Sequence, residues 1–332
     1  VIPLQDIRAA AALVAGRVYR TPLLECPVAG EAGPPLFLKC ENLQQTGSFK
    51  ARGALHKALR LTAGERKRGL ITVSAGNHAQ AVAWAGAEVG APCTVVMPEG
   101  APRTKVEAVR GYGAAIVFHP DRATLFDRLH RERERLGAVF IHPFDDPVVL
   151  AGAGTAGLEI AEDLPDLDAV VVPVGGGGLM AGVVSAVRAL CPDAVTVAVE
   201  LEAGPGLGPA LRAGKPVPVP RPVETLADGM TPPFVGGLPL AVAREAVDAV
   251  VTVTEAEILD AMRLLLHRAR LVVEGAGAAA TAAVFAGKAP LPPGARTAVL
   301  VSGGNLDPET IRDRVLGSDP PAGTPEGAKG KR

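Results

Sequence analysis

The sequence predicts an α/β protein with two parallel-sheet lobes. Two stretches carry that reading: short β-rich runs alternate with helical segments over about residues 70–143, and a second such series runs over 169–302. Parallel strands need crossover connections, and a helix between successive strands is the compact way to supply one. At 332 residues the chain also exceeds the usual size of one compact domain.

Taken in order, the opening VIPLQDIRAAAALVAGRVYR has an apolar patch at 9–15 preceded by Asp6 and Arg8, which makes it amphipathic rather than signal-like. At 46–50 a Thr-Gly-Ser turn leads into a helix that carries Lys50 in its first turn. Thr62 with Glu65 fits a capping box and opens the next helix. The first series then reads strand ITVS, helix 79–89, strand CTVVM, helix 104–110, strand AIVF, helix 121–136 and strand VFIH. The second reads VVVPV, a glycine run and a helix, TVAVE, VVTVT followed by a Thr254/Glu257 capping box, and TAVLVS. Residues 204–239, rich in Gly and Pro, are expected to be mostly loop bordering the active site. The tail from 317 is expected to be disordered.

Composition narrows the function classes. With 48% apolar residues and a formal net charge of −1, the chain can build a full core and offers no basic surface for nucleic acid, so small metabolites are the expected partners. The four cysteines, Cys26, Cys40, Cys93 and Cys191, form no C-x-x-C pair, which suggests neither a zinc cage nor a disulfide framework and fits a reducing cytoplasm. No apolar run reaches the ~20 residues that a bilayer-spanning helix needs. His56, His119, His130, His142 and His267 share no metal-like spacing.

Four stretches carry chemistry. In the first, 41–53, Lys50 sits at a positive helix end that disfavours a protonated amine. A neutral amine is what condensation with an aldehyde requires, and arginine could not supply one. The spacing alone fits a solvated helix-start lysine equally well. In the second, Gly175, Gly176, Gly177, Gly178 and Leu179 follow a β-run and open a helix, so consecutive N–H groups can close on a phosphate. The spacing is neither G-x-G-x-x-G nor an ATP loop, and a merely tight turn is the weaker alternative. The third is Ser74, Ala75, Gly76, Asn77 and His78 at a strand end: its N–H groups suit a substrate carboxylate and the Asn77 amide a ring oxygen, while His78 helps build the loop. Ser302-Gly303-Gly304-Asn305, the fourth, ends the last strand, and strand ends of open α/β sheets can share one cleft.

In combination the patterns G-S-F-K-x-R-G, S-A-G-N-H-A-Q, G-G-G-G-L and S-G-G-N resemble the fold-type II pyridoxal-phosphate (PLP) enzymes, which are tryptophan synthase β-like. The likeness to the short, catabolic-type threonine dehydratases runs over about 18–314, with HPFDDPVVLAG and VVEGAGA as further matches. The resemblance implies a large PLP-binding domain of 1–50 and 144–316, a small substrate-loop domain of 51–143 and a tail of 317–332. It implies that Lys50 carries PLP as the internal aldimine and removes the substrate Cα proton, with Phe49 against the ring and Asn77 on the ring hydroxyl. The phosphate falls to Gly175–Leu179, the pyridine nitrogen to the neutral hydroxyl of Ser302, which favours β-elimination over transamination. The implied reaction takes threonine to 2-oxobutyrate, or serine to pyruvate, with ammonia, the cofactor phosphate being the proton donor.

Two departures bear on the transfer. Serine racemases of this family place a second acid/base serine where this chain has Ala75, so racemisation is expected to be weak. Metal-binding members follow the strand-end Glu with a carbonyl donor and an Asp, but the positions after Glu200 are Gly204 and Gly206, so no metal is expected. The alternatives are a PLP lyase or racemase acting on serine or hydroxyaspartate, with the choice lying in cleft residues such as those of the 227–230 loop, and a non-catalytic phosphate- or nucleotide-binding protein. The resemblance further implies a homodimer or homotetramer.

Overall fold

The computed structural model describes residues 1–26, 36–121, 124–219 and 225–317; the expected disordered tail lies outside the described residues apart from Gly317. Helix α1 (Leu4–Val14) buries Ile7, Ala10 and Val14 on one face, as an amphipathic segment should. Strands β1 (Leu23–Cys26) and β2 (Leu36–Cys40) come next, then α2 (Lys50–Leu59) and α3 (Ala63–Arg68). The first alternating series supplies β3 (Leu70–Val73), α4 (Asn77–Val89), β4 (Cys93–Pro98), α5 (Arg103–Gly111), β5 (Ala115–His119), α6 (Leu125–Leu136) and β6 (Val139–Phe140). The long α7 (Pro147–Asp163) leads to the second: β7 (Ala169–Pro173), α8 (Gly178–Leu190), β8 (Val195–Leu201), α9 (Leu207–Ala213), α10 (Gly237–Ala246), β9 (Ala249–Val253), α11 (Glu255–Leu264), α12 (Gly275–Phe285), β10 (Thr297–Val301) and the short α13 (Pro308–Thr310).

Two sheets result. The larger runs β1-β2-β10-β7-β8-β9 and the smaller β5-β4-β3-β6, every pairing parallel except β1 with β2. The parallel prediction therefore fails only at one edge, where an antiparallel strand is added, a common device in α/β sheets. Side-chain alternation explains the near-continuous apolar strands. Val170, Val172, Ala198 and Leu300 pack toward α7, α8 and α10, whereas Val171, Val197, Val199 and Val301 pack toward α11 and α12. In the smaller sheet Leu70, Val95 and Met97 face α2 and α4, and Ile71, Val73 and Val96 face Leu129 of α6.

Both predicted capping boxes form, at Thr62/Glu65 and Thr254/Glu257. The stretch 204–239 departs from the expected loop: α9 lies within it and α10 begins at Gly237. Burial of Leu207, Ala210 and Leu240 overrides the glycine and proline content. The helix expected from 121 starts at Leu125.

Helix α2 is set against α7 at very close range. A Cβ on Gly53 would meet the Val149 carbonyl at 2.6 Å, and one on Gly152 would meet the Gly53 Cα at 2.7 Å. Only glycine at these positions lets the two backbones approach, and this contact fixes where the first turn of α2 points.

Candidate active site

All four chemistry-bearing stretches converge at strand ends. The turn before α2 has Thr46 (φ 59) and Gly47 (φ 71) in left-handed conformations, so the chain reverses sharply and delivers Lys50 as the first residue of α2. That turn is bonded to the loop after β10: Ser48 bridges Gly303, the Phe49 N–H donates to the Ser302 carbonyl at 3.1 Å, and the Gly304 N–H donates to the Gly47 carbonyl at 2.9 Å. The first and fourth stretches thus form one unit.

Lys50 Nζ donates to the Pro143 carbonyl at 2.7 Å and lies 4.9 Å from the centre of the Phe49 ring. Among the described residues it has no carboxylate partner, and burial pushes its pKa down to about 8. Desolvation lowers it, in the same direction as the helix end at which Lys50 sits. Phe49 itself packs partly against the core beneath the larger sheet. His78 is buried, its Nε2 3.0 Å from the Ile141 carbonyl, and burial followed by the charge of Lys50 pushes it down to about 3. A side chain so buried and bonded to the Ile141 carbonyl ties the loop to the strand end.

The glycine cup lies next to the same place. Gly177 takes φ +89, and a Cβ on Gly176 would sit 2.2 Å from the Phe144 ring, beside the Pro143 carbonyl that receives Lys50. Among the described residues, the N–H groups of Gly175, Gly176, Gly177, Gly178 and Leu179 find no protein acceptor, while the neighbouring Val174 N–H is bonded to Val199. Five adjacent donors left open at the start of a 13-residue helix fit an anion.

In the third stretch the Ser74 N–H is taken by the Val96 carbonyl and the Gly76 N–H by the Ser74 hydroxyl. The open backbone donors of this loop are therefore those of Ala75, Asn77 and His78. The Asn77 amide is held from both sides. Its Oδ1 accepts from Asn305 Nδ2 at 2.9 Å, and its Nδ2 donates to Glu274 Oε1 at 2.5 Å. Asn305 also donates to the Thr46 carbonyl at 2.7 Å, which settles which end of the Asn77 amide is which. One Nδ2 hydrogen remains available. Ser302 is buried, its hydroxyl 3.3 Å from the Ala276 carbonyl.

Sequence reasoning gave Glu274 no role, yet it is a buried carboxyl between the Asn77 and Gly303 loops, pushed up to about 7 by burial first and by the charge of Asp228 second. Its signal was a lone acid in an otherwise apolar VVEGAGA run. Arg52 was also missed. It is fully buried and forks onto both Glu41 oxygens at 2.7 and 2.8 Å and onto both Glu159 oxygens at 2.7 and 2.8 Å. Lys39, also fully buried, reaches Glu159 at 2.6 Å, so two cations and two carboxylates balance. Burial would raise Glu41, but the charge and hydrogen bonds of Arg52 outweigh it and hold it below its ordinary value. Glu200 accepts from the N–H groups of Leu207 and Gly208 at the start of α9. Among the described residues, no cluster of three or more His, Cys, Asp or Glu is arranged for a metal ion.

Comparison with known proteins shows the family. The family described as pyridoxal-phosphate dependent enzyme matches residues 14–303. An L-threonine ammonia-lyase of Thermotoga maritima is 44% identical over 320 residues, 95% of this chain and 78% of the relative. An L-threo-3-hydroxyaspartate ammonia-lyase of a Pseudomonas species is 39% identical over 94% of this chain and 98% of the relative. The crystal structure of a threonine deaminase from T.th. superposes with a TM-score of 0.86 at 44% identity, covering 92% of this chain and 98% of that one.

Proposed function

We propose, for a chain that belongs to the pyridoxal-phosphate dependent enzymes, that it is an ammonia-lyase converting L-threonine to 2-oxobutyrate and ammonia, and L-serine to pyruvate as a second reaction. The observation that carries the reading is that, among the described residues, a desolvated Lys50 amine without a carboxylate partner neighbours a row of N–H groups without a protein acceptor.

Pyridoxal phosphate, when bound through its aldehyde to Lys50, supplies an electron sink that stabilises negative charge at the substrate Cα. The residues of this chain do the rest. The N–H groups of Gly175, Gly176, Gly177, Gly178 and Leu179 would hold the cofactor's phosphate, and Phe49 would pack against its ring. Ser302 would offer its neutral hydroxyl to the ring nitrogen, and Asn77 its second Nδ2 hydrogen to the ring hydroxyl. The N–H groups of Ala75, Asn77 and His78, with the Ser74 hydroxyl, take the substrate carboxylate at the Gly76 turn. Lys50, as a neutral amine, accepts the Cα proton at Nζ and later returns it to solvent, while the C–O bond at Cβ breaks and the β-hydroxyl takes one proton from solvent to depart as water. The released enamine hydrolyses to the oxo acid and ammonia. Ala75 offers no second acid on the opposite face, which favours elimination over racemisation.

Small amino acids are the partners of this reading, without nucleic acid or membrane; among the described residues no helix is long and apolar enough to cross a bilayer. A cytoplasmic setting is supported by the four buried, unpaired thiols. A homodimer or homotetramer is supported by the exposed Tyr19, Leu43 and Val272, whose backbones are brought near one another by the Tyr19–Gln44 and Asn42–Val272 hydrogen bonds. Light scattering of the purified protein reads this directly. The division into a large domain of 1–50 with 144–316 and a small one of 51–143 belongs to the same proposal.

The function is tested by a coupled assay for oxo-acid release from a panel of L- and D-amino acids, with and without added Mg. Preference for L-threonine and indifference to metal are expected. Release from none of them, strong activation by Mg, or a D-serine product would each contradict the reading.

A further inference from the structure

Helix α5 of the smaller sheet reaches across to the larger one by its first turn. Thr104 donates to Asp307 at 2.6 Å, just before α13, and Lys105 forms an ion pair with Asp228. The Lys105 side chain is 16% exposed and the Asp228 side chain 59%, so the lysine, anchored through its neighbour, is the more enclosed partner. The turn that carries Asp228 borders the phosphate cup: a Cβ on Gly175 would lie 3.1 Å from both the Gly229 carbonyl and the Met230 Cα. On its other side Gly229 abuts Ala276, two residues after Glu274. Both charges act on the Glu274 carboxyl, Asp228 raising and Lys105 lowering its pKa, and Glu274 holds Asn77. The pair therefore sits at the rim of the cleft, within electrostatic reach of the substrate loop.

Resting on the ammonia-lyase reading above, we propose that the Lys105–Asp228 pair sets the charge class of substrate side chain that the cleft accepts, admitting neutral β-hydroxy amino acids and disfavouring those with a β-carboxylate. A side-chain carboxylate entering beside Lys105 meets a cation already neutralised by Asp228, and it must also approach two acids, Asp228 and Glu274. Competing for Lys105 means breaking the ion pair; not competing means like-charge repulsion. A hydroxyl or methyl group incurs neither cost. Removing the charge of Asp228 while keeping its shape leaves Lys105 free to receive the anion.

The test compares kcat/KM for L-threonine and L-threo-3-hydroxyaspartate in wild type, Asp228→Asn, Asp228→Glu, Lys105→Met and the Asp228→Asn/Lys105→Met double variant. Cofactor absorbance verifies loading of each. Asp228→Asn is expected to raise the hydroxyaspartate-to-threonine ratio at least about tenfold, or about 1.4 kcal/mol. Asp228→Glu should hold it near wild type, and the double variant should abolish the gain. Calorimetric titration with succinate, a dicarboxylate that cannot react, should show tighter binding to Asp228→Asn than to wild type, with the difference shrinking at high salt. Equal changes for both substrates in Asp228→Asn and Lys105→Met would reduce the pair to a clasp between the sheets and overturn the proposal, as would an unmoved ratio in a threonine-active enzyme. A wild type that deaminates neither substrate would contradict the ammonia-lyase reading itself.

Discussion

Lys50 and Arg52 stand two residues apart on the first turn of α2, and their surroundings treat their charges in opposite ways. Arg52 is fully enclosed yet meets two carboxylates, which secure its charge. Among the described residues, the polar or aromatic partners of Lys50 are a carbonyl oxygen and an aromatic ring, with no carboxylate, so burial acts on it unopposed. Burial alone decides nothing about protonation: the partner does. The same contrast separates two acids, since Glu41 beside Arg52 is held low while Glu274, facing an amide and the repulsion of Asp228, is pushed up to about 7. One group of charges fixes structure, and the other is left poised near neutrality.

The comparison breaks most visibly at Lys50. Lys50→Ala is expected to lower oxo-acid formation from L-threonine by at least about 10⁴-fold, because the cofactor link and the proton acceptor go together. Lys50→Met should at the same time raise the melting temperature of the cofactor-free protein at pH 7. The folded lysine has a pKa below its unfolded value, so below about pH 8 the unfolded chain is favoured by proton binding, and stability returns only as pH rises from about 8 toward 10.5. Thermal unfolding of both forms against pH measures this, and equal melting temperatures at pH 7 would contradict it.

Arg52→Met is next in size for stability. It leaves Glu41 and Glu159 facing each other without their shared cation, and chemical denaturation should show a loss of about 3–5 kcal/mol. A change below about 1 kcal/mol would mean that Lys39 and Thr21 suffice to neutralise the cluster.

A subtler break is Glu274→Gln, which keeps an acceptor for Asn77 and removes the titration. With kcat/KM of the holoenzyme measured from pH 6 to 9, wild type should show an inflection near 7 from Glu274, whose carboxyl burial pushes up to about 7. The variant should lose that inflection, whereas Glu274→Ala, which frees the Asn77 amide, should lower kcat about tenfold or more. Stability gives the opposite sign from Lys50: the raised Glu274 pKa favours the fold at low pH, and that contribution is lost as pH rises from 4.5 through about 7.

The smallest effect sharpens the contrast. Arg20, half-exposed, pairs with Glu162 at 2.9 Å and Asp163 at 2.6 Å, distances as good as those of Arg52. Arg20→Ala should nevertheless cost no more than about 1 kcal/mol in denaturation, because solvent screens both members of an exposed pair.

How far the sequence carried depends on range. Strand runs such as VVVP and TAVLV, and the Thr62 and Thr254 boxes, are local patterns and appear where expected. Helices α7 and α12 were not read, since a helix apolar on nearly every side gives no amphipathic period. Strand β2 was missed because its character comes from its neighbours. The glycine cup and Lys50 were legible because their chemistry is written in adjacent residues. Glu274, Asn305 and the Arg52 cluster were not, because their partners lie 197, 228 and 107 positions away. The helix-end argument for Lys50 pointed in the observed direction, and the protein packed around the amine adds a cause that the sequence did not show.

The measurement that tests the account most directly is chemical. Holoenzyme reduced with borohydride, digested and mapped by mass spectrometry should carry the cofactor mass on the peptide containing Lys50 and on no other. The mark on Lys39, Lys57 or Lys105, or on no peptide at all, would contradict the assignment of the unpaired lysine as the residue that holds the cofactor.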